Sequence, residues 1–206
     1  MKTTFIISTM IFLAWSQRPA ATDPRPIILA FGDSLTAGYG LPRGYGYPEQ
    51  LQRKLDQRGY RYRVVNMGIS GDTTSGGRSR VKAALDLKPS IVILELGAND
   101  GLRGLPLKQT QSNLEEMITA FQRGGAAVVL AGMTLPRNYG AAYVRSFEDM
   151  FRDLARKHNL ALIPFFLEGV AGNPKLTLDD YLHPNADGYV IVTENVLKTL
   201  EPLLKK

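Results

Sequence analysis

The feature that most constrains the fold is an alternation of short apolar segments with amphipathic, helix-forming stretches. Five apolar segments of strand length recur, at about residues 27–31, 63–67, 91–96, 127–133 and 160–164. Between them, apolar residues return every three or four positions, as Leu114, Met117, Ile118 and Phe121 do, which is the spacing of one helix face. Strands that are apolar throughout are typical of a parallel sheet covered by helices on both sides. The sequence therefore predicts an α/β fold with a five-stranded parallel sheet.

Polar or turn-forming residues follow four of the predicted strands. Ser34 follows the first strand, Gly71 the second, Asn99 the third and His183 the fifth. Parallel sheets of this kind bind ligands beyond the carboxyl ends of their strands, near the point where the strand order reverses. We therefore expect these four residues, which are far apart in the chain, to converge on one rim of the sheet.

The residue types at this rim suit nucleophilic catalysis. A serine hydroxyl attacks a carbonyl only when a neighbouring base takes its proton, and His183 is the only histidine predicted at the rim. A carboxylate beside the imidazole would hold its tautomer and stabilise the imidazolium. Asp180 and Asp179 precede His183 by three and four residues, and spacing alone does not decide between them. The predicted catalytic residues are Ser34 and His183 with one of these two carboxylates.

Acyl transfer also requires hydrogen-bond donors aimed at the oxygen that becomes negative. Three are available at the rim: the backbone N–H groups of Ser34 and Gly71, and the side-chain amide of Asn99. Glycine lets the backbone approach a substrate closely, and asparagine offers two donors without charge. These three groups are the predicted oxyanion hole.

Composition and motifs argue against several other classes of protein. The chain has no cysteine, and its two histidines lack the spacing of metal ligands, so we expect no metal site. The glycine-rich patterns of phosphate-binding loops and dinucleotide sites are absent. The basic and aromatic segment 58–63 is predicted to be an exposed edge strand rather than a nucleic-acid site. The net charge of +6 suits mild attraction to anionic substrates or to membrane surfaces.

The N-terminus has the pattern of an export signal. Lys2 precedes an apolar run over 5–15, and small residues follow, with candidate cleavage sites after Ser16 and after Ala21. The run is shorter than the roughly 20 residues that a membrane-spanning helix needs. We therefore predict a signal peptide over about 1–21, a mature domain over about 26–206, and a periplasmic or secreted location. An uncleaved membrane anchor is the alternative.

Four sequence blocks resemble the defining blocks of the SGNH or GDSL hydrolases. GDSLTAGYG matches the nucleophile block, and GISGDTT and GAND match the two blocks that supply the oxyanion hole. DYLHP matches the Asp-x-x-His block. The resemblance implies that Ser34 is the nucleophile, that Gly71 and Asn99 are oxyanion donors, and that Asp180 and His183 complete the triad.

The resemblance extends over about 27–204, which is nearly the whole predicted mature chain, and is strongest to a bacterial periplasmic thioesterase, lysophospholipase and arylesterase branch. SGDTTSGG, LELGANDGLRG, LPRNYG and PFFLEGV all look like that branch. It implies a monomeric three-layer α/β/α sandwich with a flavodoxin-like sheet, which uses no metal and no organic cofactor. It further implies a broad esterase acting on acyl thioesters, lysophospholipids and aryl or alkyl esters.

Two alternatives stay open at this stage. A carbohydrate O-acetyl esterase would use the same residues with a different pocket. A lipid- or glycan-binding module would keep the fold without catalysis. The sequence does not decide the natural substrate or the preferred acyl length.

Overall fold

Five parallel strands form one sheet in a computed structural model of the chain, which describes residues 23–206. They are β1 (Ile27–Gly32), β2 (Arg63–Gly68), β3 (Ile91–Glu95), β4 (Ala127–Ala131) and β5 (Ala161–Ile163). Their order in the sheet is β2-β1-β3-β4-β5, which confirms the predicted parallel α/β fold with its flavodoxin-like arrangement. The predicted signal peptide lies outside the described residues.

Helices enclose the sheet because the chain reverses its direction of winding between β1 and β3. They are α1 (Ser34–Ala37), α2 (Tyr47–Gln57), α3 (Thr74–Ser79), α4 (Val81–Asp86), α5 (Ala98–Leu102), α6 (Leu107–Arg123), α7 (Ala141–His158) and α8 (Ala186–Leu200). Helix α2 packs against α8, whereas α6 packs against α3, α4 and α7. No helix within residues 23–206 has the length and apolar character needed to cross a bilayer.

The core lies on both faces of the central strands. Every residue of β1 and β3 is buried, as expected for strands covered by helices on each side. The rings of Phe31 and Phe121 meet edge to face with their centroids 5.4 Å apart. Strand β1 pairs directly with β3 in parallel, so the loops that follow them meet at the carboxyl edge of the sheet.

The segment after β2 forms two short helices, α3 and α4, instead of one. The break lies at Arg80, whose backbone leaves helical geometry with φ −109° and ψ 6°. Its guanidinium donates hydrogen bonds to the carbonyls of Met67 and Gly32 at 2.7 and 2.9 Å, and it pairs with Asp72 at 2.8 Å. Arg80 therefore ties α3 to the ends of β1 and β2.

The basic segment at 58–63 is only partly the edge strand that the sequence predicts. Strand β2 does lie at the edge of the sheet, but it begins at Arg63, and residues 58–62 close α2 and lead into it. Arg58 pairs with Glu201 at 3.1 Å, and Tyr62 is buried. The segment is thus committed to packing and ion pairs near the C-terminus.

Candidate active site

Ser34 lies where β1 ends and the short helix α1 begins. Asp33 caps this helix, because its Oδ1 accepts a hydrogen bond from the N–H of Leu35 at 3.0 Å. Gly38 ends the helix in the left-handed conformation, with φ 74°. The sharp passage from a buried strand into a single helical turn presents the Ser34 hydroxyl at the carboxyl edge of the sheet.

The loop before α8 is shaped by the carboxylate of Asp180. Its Oδ1 accepts hydrogen bonds from the backbone N–H groups of Leu182 and His183, each at 2.9 Å. Tyr181 adopts a left-handed backbone conformation, with φ 55°, and Asn185 caps α8. These bonds close a tight turn that places the imidazole of His183 over the end of β1.

Ser34, His183 and Asp180 form one hydrogen-bonded chain. Ser34 Oγ lies 2.9 Å from His183 Nε2, and His183 Nδ1 lies 2.6 Å from Asp180 Oδ2. The carboxylate that contacts the imidazole is therefore Asp180 and not Asp179. Partial burial raises the pKa of Asp180, but the two backbone N–H groups and the imidazole outweigh it and hold that pKa below its usual range.

Two of the predicted oxyanion donors, Gly71 and Asn99, lie in the segments that follow β2 and β3. Gly71 has φ 80°, a conformation that glycine adopts without strain, and Asn99 lies in the first turn of α5. The Asn99 amide donates a hydrogen bond to Asp33 Oδ2 at 3.0 Å. Arg103 Nη2 donates to the Gly71 carbonyl at 2.9 Å and to Asn99 Oδ1 at 3.3 Å.

All four rim residues from the sequence analysis line a single cavity of about 640 Å³. Much of the remaining wall is apolar and comes from the segments that follow β3, β4 and β5. It includes Leu102, Met133, Leu135, Pro136, Phe165 and Leu167. An apolar cavity that opens beside a serine hydroxyl can hold a hydrocarbon chain next to the reacting atom.

Two buried carboxyl groups beside Ser34 were missed from the sequence. Glu95 Oε2 accepts hydrogen bonds from the Thr36 hydroxyl at 2.8 Å and from the Asp33 N–H at 3.3 Å. Burial raises the pKa of Asp33 to about 6, and burial together with the charge of Asp33 raises the pKa of Glu95 well above its usual range. The sequence did carry one signal for Glu95, which is the acidic last residue of the otherwise apolar strand β3.

Tyr39 and Arg103 were also missed, although both lie within the quoted motifs. The rings of Tyr39 and His183 are 4.6 Å apart between centroids and tilted by 40°. Tyr39 is 51% exposed, so its position is set by this contact more than by the core. The motif letters name these residues, but only the folded arrangement shows what they touch.

The second histidine lies away from this site. His158 is in the last turn of α7, and its Nε2 lies 3.0 Å from Glu115 Oε1. Within residues 23–206, no three His, Cys, Asp or Glu side chains are grouped in a way that could hold a metal ion.

The chain is similar to a known family and to several curated esterases. The model of the GDSL-like lipase/acylhydrolase family matches residues 30–191. Esterase TesA of Pseudomonas aeruginosa is 44% identical over 178 residues, covering 86% of this chain and 89% of the relative. An arylesterase of Vibrio mimicus is 40% identical, covering 95% and 96%. Thioesterase 1/protease 1/lysophospholipase L1 of Escherichia coli is 37% identical, covering 91% and 88%.

Solved structures show the same likeness. The crystal structure of TesA superposes with a TM-score of 0.84 at 44% identity, covering 86% of this chain and 99% of that one. A psychrotrophic esterase, EstA from Pseudoalteromonas sp., solved in a form inhibited by monoethylphosphonate, superposes with a TM-score of 0.82 at 35% identity. That comparison covers 86% of this chain and 97% of EstA.

Proposed function

This chain belongs to the GDSL-like lipase/acylhydrolase family, and we propose that it hydrolyses carboxylic esters and thioesters through an acyl-enzyme on Ser34. The observation that carries the proposal is the hydrogen-bonded chain from Ser34 Oγ through His183 to Asp180, at 2.9 and 2.6 Å. The family membership agrees with the resemblance found in the four sequence blocks. The relatives named esterase, arylesterase and thioesterase support the reaction class.

Acylation begins when Ser34 Oγ attacks the acyl carbonyl. His183 Nε2 takes the serine proton, and the imidazolium that forms is stabilised by the Asp180 carboxylate at Nδ1. The carbonyl oxygen becomes negative and accepts hydrogen bonds from the Ser34 and Gly71 N–H groups and from the Asn99 amide. The intermediate collapses as the C–O or C–S bond to the leaving group breaks, and His183 returns its proton to the departing alkoxide or thiolate.

Deacylation repeats these steps with water. His183 removes a proton from the water as its oxygen attacks the acyl-enzyme carbonyl, and the same three donors hold the second oxyanion. The Ser34–acyl bond then breaks, and Ser34 recovers its proton from His183. The products are a free carboxylic acid and an alcohol or thiol.

The cavity supports acyl chains longer than acetate. Its volume of about 640 Å³ and its apolar wall exceed what an acetyl group requires. We therefore favour acyl thioesters, lysophospholipids and aryl or alkyl esters as substrates over acetylated carbohydrate. This choice agrees with the thioesterase and lysophospholipase activities named for the Escherichia coli relative.

The setting of the enzyme is part of the proposal. The apolar run and the small residues at 5–21 support export to the periplasm or to the medium. The net charge of +6 supports transient contact with an anionic membrane surface, where lysophospholipids reside. We propose that the mature chain acts as a monomer.

Hydrolysis of p-nitrophenyl esters of increasing acyl length tests the function. We expect turnover to extend to medium or long chains and to be abolished in Ser34→Ala with the fold retained. Turnover confined to acetate would instead indicate a deacetylase. A serine-reactive phosphonate should label Ser34, and absence of both labelling and turnover would indicate a binding module. Full turnover by purified Ser34→Ala would overturn the assignment of the nucleophile.

A further inference from the structure

We propose that Arg103 is a positioning residue that holds Gly71 and Asn99 in their oxyanion-binding arrangement. This inference rests on the proposed function, because it assigns a role in stabilising the same tetrahedral intermediate. Arg103 follows α5 and lies one helical turn after Asn99, to whose backbone carbonyl its own N–H donates at 3.1 Å. Its guanidinium then reaches across to the loop that follows β2.

A single nitrogen of Arg103 joins the two oxyanion loops. Nη2 lies 2.9 Å from the Gly71 carbonyl oxygen and 3.3 Å from Asn99 Oδ1. Gly71 and Asn99 follow different strands. An oxyanion donor must be held within a few tenths of an ångström of its working position, so the two segments must keep a fixed separation. A guanidinium that bridges the two segments can fix their separation, because it is planar, rigid and always charged.

Asn99 needs such a partner because its amide can point two ways. Rotation of the amide by 180° would exchange the N–H donors for a carbonyl oxygen, which would repel an oxyanion. Arg103 donates to Oδ1, whereas Asp33 accepts from Nδ2 at 3.0 Å, so both contacts favour the same orientation. In that orientation one N–H of Nδ2 is engaged by Asp33 and the second remains available for the substrate oxygen.

Gly71 needs an anchor because its loop is exposed and glycine has more backbone freedom than any other residue. Glycine at φ 80° has access to many other conformations, and its neighbour Ile69 is 52% exposed. A Cβ at Gly71 would meet only Arg103 Nη2, at 3.7 Å. The hydrogen bond from Arg103 to its carbonyl therefore restrains a residue whose side-chain position is otherwise open.

Arg103 has no carboxylate within salt-bridge distance among residues 23–206. Its charge could therefore serve a different purpose, namely binding a phosphate in the leaving group. The two roles make different predictions for uncharged substrates, since only the positioning role affects hydrolysis of a neutral ester. The experiment must use a neutral substrate for this reason.

The test measures kcat and KM of Arg103→Met on a neutral p-nitrophenyl ester. We expect kcat to fall about 10- to 50-fold, less than the loss from removing an oxyanion donor outright, with KM changed less than about threefold. Arg123→Met is the matched control, because Arg123 is an exposed arginine at the end of α6. It precedes the amino end of β4, whereas the active site lies at the carboxyl ends of the strands. This variant should behave as the unmodified enzyme. Melting temperatures establish that each variant is folded.

A double-mutant cycle with Asn99→Ala gives the readout that a merely structural role would not move. Because Arg103 also holds Gly71, Arg103→Met should still lower kcat a few-fold in the Asn99→Ala background, but less than it does in the unmodified enzyme. Added guanidinium should partly restore kcat to Arg103→Ala. An equal loss in both backgrounds, an effect confined to KM, or unchanged turnover of the neutral ester would each overturn the proposal. A loss limited to phosphate-bearing substrates would do so in favour of leaving-group binding.

The result can be separated from the proposed function itself. Ser34→Ala is assayed in parallel, and turnover that persists in this variant would refute the catalytic assignment whatever Arg103→Met shows. If Ser34→Ala is inactive and Arg103→Met is fully active, only the positioning role fails.

Discussion

Glu95 accepts a hydrogen bond from the backbone N–H of Asp33, so that two buried carboxyl groups lie side by side next to the nucleophile. The contact arises because β1 and β3 are neighbours in the sheet and Gly32 pairs in register with Glu95. Asp33 accepts hydrogen bonds from Leu35 and Asn99, which favour its ionised form, although burial raises its pKa. Glu95 Oε1 is buried without a partner among residues 23–206, which favours a proton on Glu95.

The raised pKa of Glu95 predicts how stability depends on pH. A carboxyl whose folded pKa lies above its unfolded value stabilises the fold while it is protonated, and this stability is lost as pH rises towards the folded pKa. Asp33 adds the same trend between about pH 4 and 6. We expect Glu95→Gln to flatten the decline in the free energy of unfolding above pH 5, by up to about 1.4 kcal/mol per pH unit. Urea unfolding at several pH values measures this.

Glu116→Gln provides the control for that experiment. Glu116 is exposed, and its side chain accepts hydrogen bonds from Arg78 at 3.1 Å and from Ser112 at 3.5 Å. Because these contacts involve no histidine and no buried carboxyl group, its replacement should leave the slope above pH 5 unchanged. Equal slopes for Glu95→Gln and the unmodified protein would show that Glu95 is ionised in the folded state.

The sequence predicts the strand ends well, because continuous apolar segments mark buried strands and the residues after them occupy the rim. Ser34, Gly71, Asn99 and His183 were placed in this way, and the structure brings them to one cavity. The contact of Glu95 with Asp33 could not be predicted, because it depends on β3 lying beside β1 rather than beside β2.

The role inferred for Arg103 was beyond reach for a related physical reason. A long side chain can extend in many directions, and its partners are decided by the packing of two loops from different strands. Spacing alone also left Asp180 and Asp179 open, because the choice depends on a turn in which Tyr181 adopts a positive φ, whereas the resemblance to the Asp-x-x-His block selected Asp180.

Replacing the two neighbouring aspartates should separate their roles. Asp180→Asn removes the charge beside His183 Nδ1 and should lower kcat about 10²- to 10⁴-fold, because the imidazolium loses its partner and the tautomer is no longer fixed. His183→Ala should be more damaging, since it removes the base itself. Steady-state kinetics on one ester measures both.

Asp179→Asn is the matched control, because it removes the same charge one residue away. Asp179 is exposed, and among residues 23–206 no hydrogen bond to its side chain is present. We expect its kcat to stay within about twofold of the unmodified enzyme. A larger loss from Asp179→Asn than from Asp180→Asn would show that Asp179, not Asp180, is the catalytic carboxylate.

The Tyr39 ring should favour the charged form of His183 during catalysis. Its centroid lies 4.6 Å from that of the imidazole, close enough for attraction between an imidazolium and the aromatic ring. Tyr39→Ala should lower kcat about two- to fivefold, in line with the roughly 0.5–1 kcal/mol that such contacts contribute at exposed sites. Tyr39→Phe keeps the ring and should retain full activity; a matching loss in Tyr39→Phe would instead point to the hydroxyl.

Gly32, the last residue of β1, should tolerate no side chain. A Cβ there would lie 2.0 Å from Thr36 Oγ1, 2.5 Å from Glu95 Oε2 and 2.6 Å from the Glu95 carbonyl, all inside the buried base of the site. We expect Gly32→Ala to reduce the free energy of unfolding by about 3 kcal/mol or more, because overpacking here must displace backbone. Gly125→Ala is the contrast, since its φ of 85° costs only local strain of about 1–2 kcal/mol and no atom lies within 4 Å of its Cβ. Denaturant unfolding of both variants decides this, and similar losses would show that the strand end can move to accept a methyl group.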